Sequence, residues 1–95
     1  MQLRLSARAK SDLDHIYLQG IERYGIPAAE EYITEINSRI SLILRFPWSN
    51  TLRSDVRPPV RLQTHKGHII VYRIQEEYID VIRVLSRFQN WQERF

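Results

Sequence analysis

The hydrophobic period of the chain changes once, near Val60, and that change decides what the chain can fold into. Before it, apolar residues recur at three- and four-residue steps. Ala9, Leu13, Ile16, Tyr17, Gly20 and Tyr24 make one stripe; Ala29, Tyr32, Ile33, Ile36, Ile40, Ile43 and Leu44 make a second. This is the spacing of two amphipathic helices. Ser6 offers an N-cap oxygen to the first and Gly25 stops it, while Pro27 suits the first turn of the second and Pro47 ends it. From Val60 the period is two. Val60, Leu62 and Thr64 alternate with Arg61, Gln63 and His65, and two further strands, His68 to Ile74 and Tyr78 to Leu85, follow turns at Lys66-Gly67 and Gln75 to Glu77.

Leu3 and Leu5 alternate with Gln2 and Arg4 as a short half-buried strand. The expected fold class is therefore α+β. An N-terminal strand leads into an antiparallel two-helix hairpin, packed on one face of a mainly antiparallel sheet that a three-stranded C-terminal meander completes. Trp48 to Pro59 is expected as a loop, and Ser86 to Phe95 as a tail that docks as a short turn or stays mobile. At 95 residues, 43% of them hydrophobic, the chain is expected to form a single domain spanning 1–95.

Several classes are excluded by what the chain lacks. Having no cysteine, it has no disulfide, zinc ribbon or thiol nucleophile. Its longest apolar runs, such as Ile40 to Leu44, fall far short of the roughly 20 residues of a membrane span, and Arg4, Arg8 and Lys10 interrupt any secretory signal. A cytoplasmic protein without membrane association, metal or cofactor is expected. His65 and His68 flank Lys66-Gly67 and are expected as an ordinary cross-strand pair.

The second and third meander strands carry more apolar residues than one buried face needs. Ile70, Tyr72 and Ile74 oppose Ile69 and Val71; strict alternation likewise sets Ile82 and Val84 against Ile79, Val81, Arg83 and Leu85. Two helices cover one face of such a four-stranded sheet, so the other is expected to be partly apolar, rimmed by arginine and covered by a partner. Tyr72 is expected in the core, with Tyr24, Tyr32 and Trp48 sealing the hairpin's end against the loop.

The formal charge of +3 is unevenly spread: residues 1–48 carry six basic and six acidic side chains, residues 49–95 eight and five. Between Arg53 and Arg73, four arginines and Lys66 face only Asp55. Arginine favours planar recognition of carboxylate or phosphate, so an acidic partner is expected. Arg57, Arg61, Arg73, Arg83, Arg87 and Trp91 are the candidate binding residues. Arg83 is either paired within the fold, to a carboxylate such as Asp12, or held for a partner's acidic group.

The order of elements resembles the RelE/ParE superfamily of toxins from type II toxin–antitoxin modules. Its marks are Leu5-Ser6 followed by Ala9, Asp12, Leu13 and Ile16; Tyr24-Gly25 with Ala29 and Tyr32; Phe46-Pro47; Val71-Tyr72-Arg73; and Ile82-Arg83-Val84-Leu85. Together these look closest to the ParE branch. The resemblance implies a cognate antitoxin that wraps the chain into a hetero-oligomer, and a ParE-like action on DNA gyrase, touching gyrase, DNA or both, without catalysis. The enzyme alternative is a RelE-like ribosome-dependent mRNA endonuclease, in which Arg61 and Arg87 would match catalytic cations. Against it, Ile69 stands where such relatives carry arginine, and Ser86-Arg87-Phe88 lacks their terminal tyrosine or histidine. A third alternative is a non-toxic relative that only binds its antitoxin.

Overall fold

A computed structural model describes residues 1–94; Phe95, the last residue of the tail, lies outside the described residues. The elements are β1 (Gln2–Leu5), α1 (Ala7–Tyr24), α2 (Ile26–Arg45), β2 (Leu52–Arg53), β3 (Val60–His65), β4 (His68–Gln75) and β5 (Tyr78–Ser86), closed by a 3-10 turn at Trp91–Glu93. They build a five-stranded sheet in the order β1-β5-β4-β3-β2, with β1 parallel to β5 and the other pairs antiparallel.

Local chemistry explains the helical half. Ser6 Oγ accepts from the Ala9 amide at 2.9 Å, capping α1, and donates to the Ile82 carbonyl at 2.7 Å, anchoring that cap to β5. Gly25 alone joins the helices. At φ 88° it adopts a conformation that suits glycine, and its amide reaches the Ile21 carbonyl at 2.9 Å as its own carbonyl receives Ala29 at 3.1 Å. Gly20 lets the hairpin close: a Cβ there would lie 3.1 Å from the Ala29 Cβ.

The helices cover one sheet face with a core of Ala9, Ile36, Ile40, Ile43, Ile70, Tyr72, Ile79, Val81 and Val84. Three expectations change here. The stretch expected as a loop contains β2, a two-residue strand pairing Leu52 with Arg61 and Arg53 with Val60, which makes the sheet five-stranded rather than four-stranded. Alternation along β5 also breaks. Val71 opposes Arg83 but Tyr72 opposes Val81, so Ile82 is an extra residue, a β-bulge. Beyond it the faces exchange: Val84 joins the helix-side core, and Leu85 packs with Ile82 on the far side. Arg83 therefore no longer shares a face with Ile79 and Val81.

The third change concerns the face expected to await a partner. Val60, Ile69, Val71 and Leu85 are buried there by Val56 from the β2–β3 connection and by Trp91 from the tail. Trp91 is only 8% exposed, with the Arg53 guanidinium 5.1 Å from its ring centre, whereas Phe88 is 84% exposed. Among its described residues the tail docks through one aromatic, Trp91. Burying an indole on an otherwise open apolar face is a large hydrophobic gain for a chain this small. Trp91→Ala should lower unfolding stability by about 3 kcal/mol and Phe88→Ala by less than about 0.5 kcal/mol, measured by urea denaturation.

Candidate functional site

The C-terminal end of α2 and the connection into β3 form a surface of arginine and exposed apolar side chains. Phe46, Trp48 and Leu52 are exposed, Trp48 to 65%, contrary to the expectation that Trp48 seals the hairpin. Tyr24 is likewise turned out, at 74%, while Tyr32 is half-buried as expected. Tyr72 fixes this surface from below: its buried hydroxyl donates to the Pro47 carbonyl at 2.9 Å and accepts from Asn50 Nδ2 at 3.1 Å. Burial pushes the Tyr72 phenol above its usual range, so it stays a neutral donor. Arg61 donates to the Asn50 carbonyl, with its guanidinium 5.3 Å from the Trp48 ring centre, and Arg45 lies 5.4 Å from that of Phe46. A guanidinium beside an exposed ring presents charge and π-surface together, a combination suited to recognising acidic and planar groups.

The other candidate residues are dispersed. Arg57 is exposed and makes no hydrogen bond or ion pair among the described residues. Arg73 is on the far face, its Nε fully buried without an acceptor; a buried unpaired donor carries a desolvation cost of about 1–3 kcal/mol. Arg83 grips Asp12 with two hydrogen bonds, Nε to Oδ2 at 2.8 Å and Nη2 to Oδ1 at 2.9 Å, so the fold takes the internal pairing of the two alternatives. It also donates to the Arg94 carbonyl, linking α1, β5 and the tail. Arg87 donates to the Lys66 carbonyl at 3.1 Å beside the β3–β4 turn. Trp91 belongs to the far-face core.

At that turn, His65 and His68 do form the expected cross-strand pair. The missed residue is Glu35, which α2 brings alongside. His65, buried to within 7%, lies with Nε2 2.8 Å from Glu35 Oε1 and receives Arg39 Nε at Nδ1, 3.2 Å away. Accepting at Nδ1 leaves the proton on Nε2, aimed at the carboxylate. Lys66 Nζ meets the same oxygen at 2.9 Å. The bond from Lys66, then that from His65, holds the Glu35 carboxyl below the usual range. The i, i+4 placement of Glu35 and Arg39 on α2 was the available signal. Among the described residues no group of three or more His, Cys, Asp or Glu side chains is placed to hold a metal ion, and no helix is long and apolar enough to cross a membrane.

Comparison with known proteins settles the family. A model of the family described as "ParE toxin of type II toxin-antitoxin system, parDE" matches residues 3–91. The chain belongs to this ParE toxin family. Among curated relatives, Toxin ParE1 of Caulobacter vibrioides is 32% identical over 87 residues, 92% of this chain and 90% of that one. Toxin ParE1 of Mycobacterium tuberculosis is 32% identical over 84 residues, 87% and 86% of the two chains. A solved chain from the chromosomal ParDE TA system of P. aeruginosa superposes with a TM-score of 0.81 at 22% identity, covering 90% of this chain and 95% of that one. The ParE-family fold thus accounts for the two helices on a five-stranded mixed sheet.

His68 makes the junction between α2 and the β3–β4 turn of this ParE-family chain sensitive to acid. Burial, then the neighbouring His65, lowers the His68 pKa below the ordinary histidine value of 6.5, and Tyr32 Oη lies 2.5 Å from His68 Nδ1. In the unfolded chain His68 takes up a proton more readily, so its contribution is complete above about pH 6.5 and declines as pH falls below it. The lowered Glu35 pKa acts in the same direction at more acid pH. Urea midpoints should fall between about pH 7 and pH 5, and His68→Asn should flatten that slope.

Proposed function

We propose that this chain is the toxin of a parDE-type module, that it acts by binding DNA gyrase and trapping the enzyme with cleaved DNA, and that a cognate antitoxin keeps it silent in the cytoplasm. The observation that carries this reading is the family match over residues 3–91. Its surface chemistry agrees. Arg45 beside the exposed Phe46 and Arg61 beside the exposed Trp48 present cations and aromatic rings together, a surface that suits an acidic protein face or DNA.

The arrangement of cations supports a binding protein over the nuclease alternative. Arg61 opposes Tyr72, whereas the Arg87 amide bonds the Gly67 carbonyl. Five residues of strand separate those levels, about 16 Å by the usual rise per residue. Each guanidinium is engaged at its own end of that span, Arg61 at the Asn50 carbonyl and Arg87 at the Lys66 carbonyl, so the two are not presented together to one developing phosphorane charge. Ile69, at the position where the nuclease relatives carry arginine, is buried beneath Trp91 and Val56. The antitoxin has apolar surface to cover on the outer sides of the helices, where Leu18, Leu42 and Leu44 are exposed.

Purified gyrase with supercoiled plasmid tests the proposal. The chain should accumulate linear, enzyme-linked DNA and inhibit supercoiling, and Trp48→Ala combined with Arg61→Ala should weaken both effects by about tenfold or more. Undisturbed gyrase, together with codon-spaced cuts in mRNA on translating ribosomes, would contradict it.

A further inference from the structure

Val56 and Trp91 cover only part of the far sheet face. Beyond them, three charged side chains stand in one row across the strands: Arg4 opposes Asp80 in the parallel β1–β5 pair, and Asp80 opposes Arg73 in the antiparallel β5–β4 pair. A cavity of about 360 Å³ opens beside them, lined also by Ser6 and Ile82. Asp80 is committed to Arg4, accepting its Nε at 2.9 Å. The Arg73 side chain makes no hydrogen bond or ion pair among the described residues, and its Nε is buried without an acceptor. The row has two cations and one anion. What it lacks is a second carboxylate.

We propose that this cavity binds a carboxylate side chain from an acidic peptide segment of a protein partner, held on Arg73 with Arg4 at its flank. The match is to a single carboxylate. One guanidinium is unpaired, and its planar fork fits a carboxylate with two parallel hydrogen bonds. A nucleic acid would bring successive phosphates against the Asp80 charge with no further free cation in the row to meet them. The surroundings favour a peptide as well: the Tyr78 ring lies under Arg4, 4.1 Å from the guanidinium, and Ile82 is half-buried at the cavity wall. The inference rests on the functional reading only in supposing a protein partner.

The test follows the arginine Nε–H signals of the full ¹⁵N-labelled chain by NMR during titration at constant ionic strength. The probes are a synthetic peptide alternating leucine and glutamate, its glutamine counterpart, and a single-stranded oligothymidylate. The glutamate peptide should shift the Arg73 signal saturably and the glutamine peptide should not. Arg73→Gln should weaken glutamate-peptide binding about tenfold. Asp80→Asn, which removes the competing charge and leaves Arg73 in place, should tighten it several-fold and so guards against a variant that merely fails to fold. No saturable shift, equal shifts from both peptides, tighter binding of the oligonucleotide, or weaker binding by Asp80→Asn would each overturn the assignment. Because the probe is synthetic, such a failure leaves the gyrase and antitoxin reading standing, whereas undisturbed gyrase leaves this one standing.

Discussion

The carboxylate of Asp12 holds the fold together at the point where the sheet runs out of partners. β1 pairs with β5 only as far as Val81, and just beyond lies the bulge at Ile82. There the carboxylate accepts two hydrogen bonds from Arg83 and a third from the Val84 amide at 3.0 Å, a sheet-edge donor that no strand satisfies. Arg83 in turn reaches the Arg94 carbonyl, and the tail that carries Arg94 also carries Trp91. One ion pair therefore couples α1, the bulged strand and the tail that closes the far face. Because the pair is largely shielded from water, removing either member strands the other, at a cost of about 2 kcal/mol against ~3–5 for a fully buried pair.

That coupling explains why the far face has a different role from the one its apolar pattern suggests. Alternating hydrophobics on β4 and β5 demand cover, and a partner is one way to supply it. Here the chain supplies part of it from its own sequence, through Val56 and Trp91. In the proposed readings recognition is left to two other places, the arginine–aromatic surface after α2 and the charged row of Arg4, Asp80 and Arg73. The first is stiffened from beneath by the Tyr72 hydroxyl, whose bonds to Pro47 and Asn50 tie an irregular connection to the helix-side core. A rigid platform loses less conformational entropy on binding than a mobile loop, which suits its exposed rings to the contact proposed for them.

Local chemistry made much of this legible. The period change at Val60, the Ser6 cap, the Gly25 joint and the two faces of β4 all follow from residue type and spacing, because each is decided within a few residues of chain. The misreadings were non-local. Ile82 is as apolar as its neighbours, so nothing within β5 marks it as the residue that reverses the alternation. A two-residue strand such as β2 has no period to read. Glu35 meets His65 across 30 residues of sequence and Arg4 meets Asp80 across 76, distances at which pairing depends on topology rather than spacing. Among the candidate arginines, Arg83 turned out to be structural. The phrase Ile82-Arg83-Val84-Leu85, one of the marks of the family, holds both the bulge and the ion pair on which the fold leans.

In the proposed reading this ParE-family domain, part of its far face covered by its own Val56 and Trp91, meets its target through the surface between Arg45 and Arg61. Hydrogen–deuterium exchange of the chain, free and bound to gyrase on cleaved DNA, measures this directly. Slower exchange on binding is expected in residues 46–57 and at the start of β3, with Val71 and Leu85 unchanged because they are already protected. Protection confined to the outer faces of α1 and α2, or to the β3–β4 turn, with residues 46–57 unaltered, would contradict it.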